Sequence, residues 1–222
     1  MRGDTARCVE SKVFGSPGLD GGQAEYVRIP LADGTVMKAP ENIPEKTLIL
    51  MADIFPTGYY GVKSAISMAA TVDISQSTMV IVGCGPVGLC ALVAALHFKP
   101  KHLFAIDSID SRLQLAKQLG AEPLNFQKDR EGMVSRIQEV TGGRGADMVV
   151  EVVGLSPALR TAFDVLRPFG VISSIGVHNA EIPWSATEGY EFMFDKIMPL
   201  SEAKEAYDIF DKRRAQKVVF IP

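Results

Sequence analysis

The pattern of apolar and polar positions divides the chain into two parts. Residues 1–47 are rich in Gly and Pro, and alternating stretches at 21–30 (GGQAEYVRIP) and 34–44 (GTVMKAPENIP) predict two brief strands separated by turns. From residue 78 onward, apolar runs of strand length alternate with amphipathic segments, the pattern of a parallel sheet with crossover helices. The pattern therefore indicates a fragment of a β domain followed by an α/β domain.

The α/β part contains five predicted strands, at 78–83, 102–107, 121–126, 146–154 and 170–176. The predicted helices between them begin near Pro86, Asp110, Asp129 and Ser156. In the second helix, Leu113, Ala116 and Leu119 form an expected inward stripe, and Gly120 follows as a left-handed stop. After residue 177 the pattern breaks, then resumes with a predicted helix at 201–214 and a strand at 217–222.

Composition narrows the class of protein. The 222 residues are 47% hydrophobic and 22% charged, which favours a globular core. The formal charge of -3 argues against a broad basic surface for nucleic-acid binding, and the one dense basic run, at 211–217, is interpreted as a solvated helix end. The polar N-terminus, the absence of an uncharged run of ~18 residues and three cysteines without CxxC spacing predict a soluble cytoplasmic protein with no membrane span.

A glycine motif carries most of the functional signal. Gly83, Gly85 and Gly88 have GxGxxG spacing, follow an apolar strand and open a helix, which is the context of a dinucleotide-binding turn. In such a turn the first glycine permits the tight bend, the second admits the pyrophosphate, and the third lets helix and strand pack closely. The helix N-terminus then offers free N–H donors to the phosphates. The alternative is that these glycines serve packing alone.

Asp107 ends the next predicted strand, 19 residues after Gly88. A carboxylate there would accept hydrogen bonds from the adenosine ribose hydroxyls and would repel a 2′-phosphate. The sequence therefore predicts NAD as cofactor in preference to NADP.

Six segments, in order along nearly the whole chain, resemble the zinc-dependent alcohol dehydrogenases of the medium-chain dehydrogenase/reductase family. They are GGQAEYVRIP, ADIFPTGYYGVKSA, VIVGCGPVGLCA, TGGRGADMVVEVVG, LRPFGVISSIGVH and PLSEAKEAYDIFDKR. The resemblance implies a Rossmann-type doubly wound parallel sheet with a remnant of a β-rich catalytic domain. It assigns 1–47 to that GroES-like remnant, 48–190 to the NAD-binding domain, and 191–222 to a helix and strand that return to the remnant.

The resemblance also implies site residues. Asp53 matches the branch in which an Asp replaces a Cys as a ligand of the catalytic zinc, and Thr57 lies beside the nicotinamide. Tyr59 and Tyr60 belong either to that pocket or to a capped helix start with buried rings. The implied cofactor contacts are Gly83, Gly85, Pro86, Val87, Gly88, Asp107, Arg112, Val152, Val153, Gly154, Ile175, Gly176, Val177 and Lys217.

The sequence departs from the family at two places. The other catalytic zinc ligands have no counterpart, Cys8 matches the last of the four structural-zinc cysteines, and His97, His102 and His178 have no partner at metal-ligand spacing. Zinc is therefore not expected in the isolated chain. At 190–191 the family's sixth strand is missing, which would leave the fifth strand as an exposed edge and a route to a homo-oligomer.

Three functional hypotheses follow. The first is an NAD-dependent alcohol dehydrogenase-like oxidoreductase acting on a small molecule. The second is a redox-neutral isomerase, dehydratase or cyclase that uses Asp53, expected to be desolvated among apolar neighbours with a raised pKa, as acid or base. The third is a non-catalytic nucleotide-binding remnant.

Overall fold

The computed structural model describes residues 8–180, 196–212 and 218–221. The chain separates into two compact units between Ile49 and Leu50. The first unit contains the short helices α1 (Ala32–Thr35) and α2 (Glu45–Leu48) and an isolated antiparallel bridge between Ser16 and Leu19.

The two strands predicted in the first unit are wrong. The stretches at 21–30 and 34–44 form turns, extended segments without a partner and part of α1, and Tyr26 and Met37 are exposed. A strand is stable when a neighbour takes up its backbone hydrogen bonds, and the described residues of this unit offer these stretches no neighbouring strand. The assignment of 1–47 to a catalytic-domain remnant stays a prediction.

The second unit is an α/β fold, as predicted. Its elements are α3 (Ile54–Met68), β1 (Thr78–Val82), α4 (Pro86–Phe98), β2 (His102–Asp107), α5 (Asp110–Leu119), β3 (Glu122–Asn125), α6 (Arg130–Val140), β4 (Ala146–Glu151), α7 (Ser156–Val165), β5 (Leu166–Ser174), β6 (Lys196–Pro199), α8 (Ala203–Asp211) and β7 (Val218–Ile221). Three 3₁₀ turns, at Ile49–Ala52, Ile74–Gln76 and Leu200–Glu202, complete the described elements. Strands β1 to β5 form a parallel sheet in the order β3-β2-β1-β4-β5, and β6 pairs with β7 in a separate parallel ribbon.

The apolar core lies on both faces of the five-stranded sheet. All five residues of β1 are buried, with Met79 and Ile81 in one cluster and Val80 and Val82 in the other. Successive side chains of a strand point to opposite faces, so an apolar run without polar alternation is the signature of a strand covered on both sides. Helices on both faces provide that cover, which confirms the parallel sheet predicted from the pattern and the doubly wound arrangement that the resemblance implied.

The sequence predicted the first residues of the helices correctly but assigned one residue of α5 to the wrong face. Helices α4, α5 and α7 begin at the predicted residues, and Asp129 caps α6 by accepting the Gly132 N–H at 2.7 Å. Gly120 adopts the predicted left-handed conformation with φ of 113°. Leu119, expected to be inward, is exposed, because each three-residue step falls 60° short of a full turn of the helix.

Strand β5 lies at the edge of the sheet and is irregular. Ala146 of β4 pairs with Leu166, but Met148 pairs with Val171, so residues 167–170 bulge out of the ladder. The predicted start at 170 therefore matches the point where pairing becomes continuous. Strand β6 was not predicted. The site of the missing sixth strand, at 181–195, and Lys217 lie outside the described residues, so both expectations stay predictions.

Within the part of the chain that the structure describes, no helix is both long and apolar enough to cross a membrane.

Candidate functional site: a cleft at the carboxyl ends of the strands

The glycine turn between β1 and α4 is shaped for a close approach. Gly83 has φ of 100°, and its N–H donates to the Ile106 carbonyl at 2.8 Å, which ties the turn to β2. A Cβ on Gly88 would overlap the Gly83 carbonyl oxygen, so close packing of helix against turn requires glycine there. A Cβ on Gly85 would meet no atom within 4 Å. The space in front of Gly85, at the N-terminus of α4, is therefore open to a ligand.

Asp107 holds this turn from the end of β2. Its Oδ2 accepts the Cys84 N–H at 2.7 Å, and its Oδ1 accepts the N–H groups of Ser108 and Ile109 at 2.7 and 2.9 Å. The side chain is 8% exposed, and the Arg112 guanidinium lies 3.8 Å from Oδ2. Two carboxylate oxygens offer about four acceptor sites, so Oδ2 keeps the capacity to accept a hydrogen bond from a ligand hydroxyl.

Cys84 lies in the glycine turn, where its N–H donates to Asp107 and its side chain is buried. Burial, followed by the charge of Asp107, raises the pKa of its thiol from 9.0 to about 12, whereas Arg112 acts in the opposite direction. The thiol is therefore a neutral packing group behind the turn and not a nucleophile.

A cleft of about 440 Å³ opens beside the glycine turn. The predicted contacts that line it are Gly83, Gly85, Pro86, Val87, Gly88, Asp107, Arg112, Val152 and Val153. Lining residues that the sequence did not single out are Val82, Ile106, Ser108, Ile109, Phe126, Arg130, Leu155, Pro157, Ala158 and Thr161. Most of them lie at or just beyond the carboxyl ends of β1, β2, β3 and β4, the edge where open α/β sheets bind ligands. Because most of these residues lie at the end of a predicted strand or just after it, their position in the sequence could have identified them as candidate cleft residues.

One wall of the cleft is fixed by an arginine. Arg130, at the start of α6, donates to Thr161 Oγ1 at 3.2 Å and pairs with Asp164 at 2.8 Å, and both partners belong to α7. The guanidinium thereby links two helices that flank the cleft.

The remaining predicted contacts pack together beyond β4. A Cβ on Gly154 would collide with the Val177 backbone, one on Gly61 would meet the Ile175 side chain, and one on Gly58 would meet the Val87 carbonyl. Glycines of α3 and of the loop after β4 thus bring α3, α4 and the end of β5 into close contact. Thr57 precedes Gly58 in α3, and its nicotinamide role stays a prediction. The cofactor roles of Gly154, Ile175, Gly176 and Val177 remain predictions.

Asp53 does not have the environment expected for it. It precedes α3, its side chain is exposed, and its Oδ1 accepts the Thr57 hydroxyl at 2.6 Å. The desolvation expected for this carboxylate is absent, because the residue lies exposed at the start of a helix and not in a core. Tyr59 and Tyr60 are likewise exposed, so the alternative of a helix start with buried rings is wrong, and their place in the nicotinamide pocket stays a prediction.

The described residues do not fit a catalytic zinc. Nowhere in them do three His, Cys, Asp or Glu side chains converge as metal ligands, and a catalytic zinc site uses three protein ligands. His97 packs edge-on against Phe98, and His102 begins β2. No chemical step through zinc is derived for this part of the chain.

Glu151 forms a cluster that the sequence did not single out. It ends β4, is fully buried, and its Oε1 accepts the N–H groups of Val153 and Gly154, each at 2.7 Å. Its Oε2 accepts the Ser174 hydroxyl at 2.7 Å and lies 3.2 Å from His178 Nε2, which is also 2.8 Å from Ser174 Oγ. The two strands that flank β1 therefore both end in an acid that holds the following backbone turn.

Together these features define a protein with a Rossmann-type fold: a parallel sheet, a glycine turn at the switch point between β1 and β4, and an acid at the end of β2.

The comparisons identify the family. A family model described as zinc-binding dehydrogenase matches residues 86–198, just over half of the chain. Zinc-type alcohol dehydrogenase B of Aspergillus flavus is 56% identical over 250 aligned positions, covering 99% of this chain and 58% of that protein. The medium chain reductase/dehydrogenase ucsI of Acremonium sp is 58% identical over 188 positions, covering 85% of this chain and 64% of that protein. The chain belongs to the zinc-type alcohol dehydrogenase group of the medium-chain dehydrogenase/reductase family.

A solved structure supports the fold. The alcohol dehydrogenase TADH from Thermus sp. ATN1 superposes with a TM-score of 0.68 at 29% identity, over 91% of this chain and 66% of that one. The chain thus spans about three fifths of the length of these relatives. The 250-position alignment also exceeds the 222 residues present, so part of that relative has no counterpart inside the matched span.

Proposed function

We propose that this chain forms the cofactor-binding part of an NAD-dependent alcohol dehydrogenase-like oxidoreductase that acts on a small molecule. The observation that carries the proposal is the open space at Gly85, in a cleft that is also lined by Asp107 with its spare acceptor capacity. When bound, the nicotinamide cofactor would supply the hydride chemistry. The chain's own part is to bind and orient it.

Gly85 and Asp107 have separate tasks in this proposal. At Gly85 the backbone lets a pyrophosphate approach, and the first N–H groups of α4, which have no partner within the helix, donate to it. At the end of β2, Asp107 accepts a ribose hydroxyl, and its charge disfavours a 2′-phosphate, hence NAD over NADP. Lys217 and Thr57 are proposed contacts to the pyrophosphate and the nicotinamide.

The proposal has three further parts. Asp53 alone does not make a zinc site, so catalytic zinc is not expected in the isolated chain. The outer edge of β5 is proposed as the surface for self-association, because it pairs with no strand of the described residues. The free thiols Cys8, Cys84 and Cys90 are consistent with a cytoplasmic location.

The redox-neutral alternative gains no support from the site. It depended on an Asp53 with a raised pKa, and that carboxylate is exposed at the start of α3. The non-catalytic alternative would bind a nucleotide in the same cleft, and it differs from the proposal only in that the chain would not convert a substrate.

A calorimetric titration with NADH and NADPH tests the proposal. We expect saturable NADH binding and at least roughly tenfold weaker NADPH binding, and Asp107→Asn should weaken NADH binding by about tenfold, since a charged hydrogen bond contributes about 1.5–3 kcal/mol. The matched control is Asp110→Asn, which removes a carboxylate from the exposed first turn of α5, where it pairs with Lys128. Equal weakening by both variants, or no NADH binding by the folded wild-type chain, would contradict the proposal.

A further inference from the structure

The cluster of Glu151, Ser174 and His178 fixes which nitrogen of the imidazole carries hydrogen. Glu151 Oε1 is occupied by two backbone N–H groups, and Oε2 faces the other two side chains as an acceptor. The Ser174 hydroxyl hydrogen points to Oε2, so Ser174 Oγ presents a lone pair to the ring. Both neighbours of Nε2 are therefore acceptors, and Nε2 must be the protonated nitrogen. In the neutral imidazole, Nδ1 is then a bare acceptor.

Nδ1 is available to a ligand. Among the described residues it has no hydrogen-bond partner, and the His178 side chain is 22% exposed. A buried carboxylate that fixes the tautomer, with the opposite nitrogen left without a partner among the described residues, is the arrangement of an oriented general base.

His178 lies on the β4 and β5 side of the sheet, where the proposed function places the nicotinamide half of the cofactor. A doubly wound sheet binds one mononucleotide on each side of its switch point, and Asp107 marks the side of β1, β2 and β3. His178 follows β5 on the opposite side. The backbone of its neighbour Val177 packs on Gly154, and Ile175 packs on Gly61 of α3. The imidazole therefore lies at the sheet edge where the nicotinamide half of a dinucleotide would be placed.

We infer that His178 is the proton acceptor for an alcohol substrate, with Glu151 and Ser174 as positioning residues; this inference rests on the proposed function. In oxidation the alcohol O–H bond breaks and its proton goes to His178 Nδ1. A bound nicotinamide would accept the hydride, with its electron pair, from the C–H bond of the same carbon, which becomes a carbonyl, so that the alcohol would be oxidised as the cofactor is reduced. The Glu151 carboxylate would stabilise the imidazolium that results.

The tautomer is tested first, without any ligand. Ring spectra of the full chain labelled with ¹⁵N-histidine distinguish protonated from bare nitrogens, and loss of one signal set in His178→Asn assigns it. We expect hydrogen on Nε2 in the wild type. In Glu151→Gln the amide oxygen must accept the Val153 and Gly154 N–H groups, so the amide NH₂ faces the ring. Because that NH₂ is a donor, Nε2 must accept from it, and the ring hydrogen should move to Nδ1. Ser174→Ala is the control, since it keeps the Glu151 acceptor and therefore the Nε2 hydrogen.

Hydrogen on Nδ1 in the wild type would overturn the inference. If Glu151→Gln does not fold, wild type and Ser174→Ala still decide the tautomer. The second arm adds NAD and trifluoroethanol, an alcohol that resists oxidation, to the labelled chain. We expect the His178 Nδ1 signal to shift when the alcohol is added to the NAD complex, with the His102 signals unchanged.

The outcomes separate the inference from the proposed function. No calorimetric NADH binding would contradict the proposed function and, with it, the substrate role of His178, whatever the tautomer. Binding of NADH, together with a His178 spectrum that trifluoroethanol leaves unchanged, would overturn the inference alone.

Discussion

At the scale of single residues, the glycine motif contains two kinds of glycine. Gly88 is required by packing, because a Cβ there would overlap the Gly83 carbonyl, whereas Gly85 borders empty space. The same residue type thus serves the fold at one position and leaves room for a ligand at the other.

Alanine substitutions separate these roles. We expect Gly88→Ala to lower the free energy of unfolding by about 3 kcal/mol or more, because the turn or helix must move to relieve the overlap. Gly85→Ala should leave stability almost unchanged and weaken NADH binding by roughly tenfold or more, because its Cβ fills space that a pyrophosphate needs. Urea denaturation and calorimetry on both variants measure the two effects. A stable Gly88→Ala, or a Gly85→Ala that binds NADH like wild type, would contradict this division.

The residue scale also shows what a sequence can predict about a site. The glycine motif and Asp107 were recognised because their spacing is local and a defined backbone geometry requires it. Glu151 was missed because its partners, Ser174 and His178, lie 23 and 27 residues away and meet it through strand pairing. The expected burial of Asp53 failed because apolar neighbours in sequence need not be neighbours in space.

At the scale of elements, an ion pair ties three strands together at the amino ends of β1, β4 and β5. Asp147 Oδ2 accepts the Thr78 N–H of β1 at 2.9 Å, and Oδ1 accepts Arg167 Nε of β5 at 2.7 Å. The carboxylate is almost fully buried, and Arg167 reaches it from the bulge in β5. The ion pair therefore joins the irregular start of β5 to the regular part of the sheet.

Removal of the carboxylate should destabilise the sheet. Asp147→Ala leaves the Arg167 guanidinium and the Thr78 N–H without their partner in a dry environment, and we expect a loss of about 3 kcal/mol in the free energy of unfolding. Urea denaturation measures the loss. Asp110→Ala, which breaks an exposed ion pair with Lys128, is the comparison and should leave the midpoint unchanged. Equal effects would show that Asp147 does not join the strands.

The sequence predicted strands and helices correctly in the part of the chain where helices cover both faces of the sheet. Apolar strands and amphipathic helices then reinforce one another, and five strands and four helices were found close to their predicted bounds. The alternation at 21–30 and 34–44 was equally regular, but an isolated strand lacks the pairing that stabilises it. Periodicity indicates what a segment can form, and its neighbours decide whether it does.

At the scale of the whole molecule, the reactivity of the three cysteine thiols depends on whether the chain is folded. Cys8 is exposed, Cys84 is buried behind the glycine turn, and Cys90 is partly buried in α4. Burial raises the pKa of both Cys84 and Cys90, Cys84 to about 12. Because the folded state holds the Cys84 proton more tightly, this contribution to stability is present below pH 9 and is lost as the pH rises toward 12.

Thiol titration with a disulfide reagent at pH 8.5 checks this arrangement. We expect one thiol, Cys8, to react quickly in the native protein, with Cys84 reacting only after unfolding in denaturant. Cys8→Ser should remove the fast phase, and Cys84→Ser should remove a phase seen in the unfolded chain alone. Rapid native-state labelling of Cys84 would show that the turn opens without global unfolding.

The bulge in β5 offers an attachment point. Phe169 stands at its tip with its side chain 98% exposed and φ of 59°, and the bulge lies at the opposite end of β4 from Glu151. A dye or surface tether joined to Cys in Phe169→Cys, with Cys8→Ser to remove the competing thiol, would project away from the strand ladder. An immobilised or fluorescent form of the chain could thus be prepared with its ligand-facing edge left untouched.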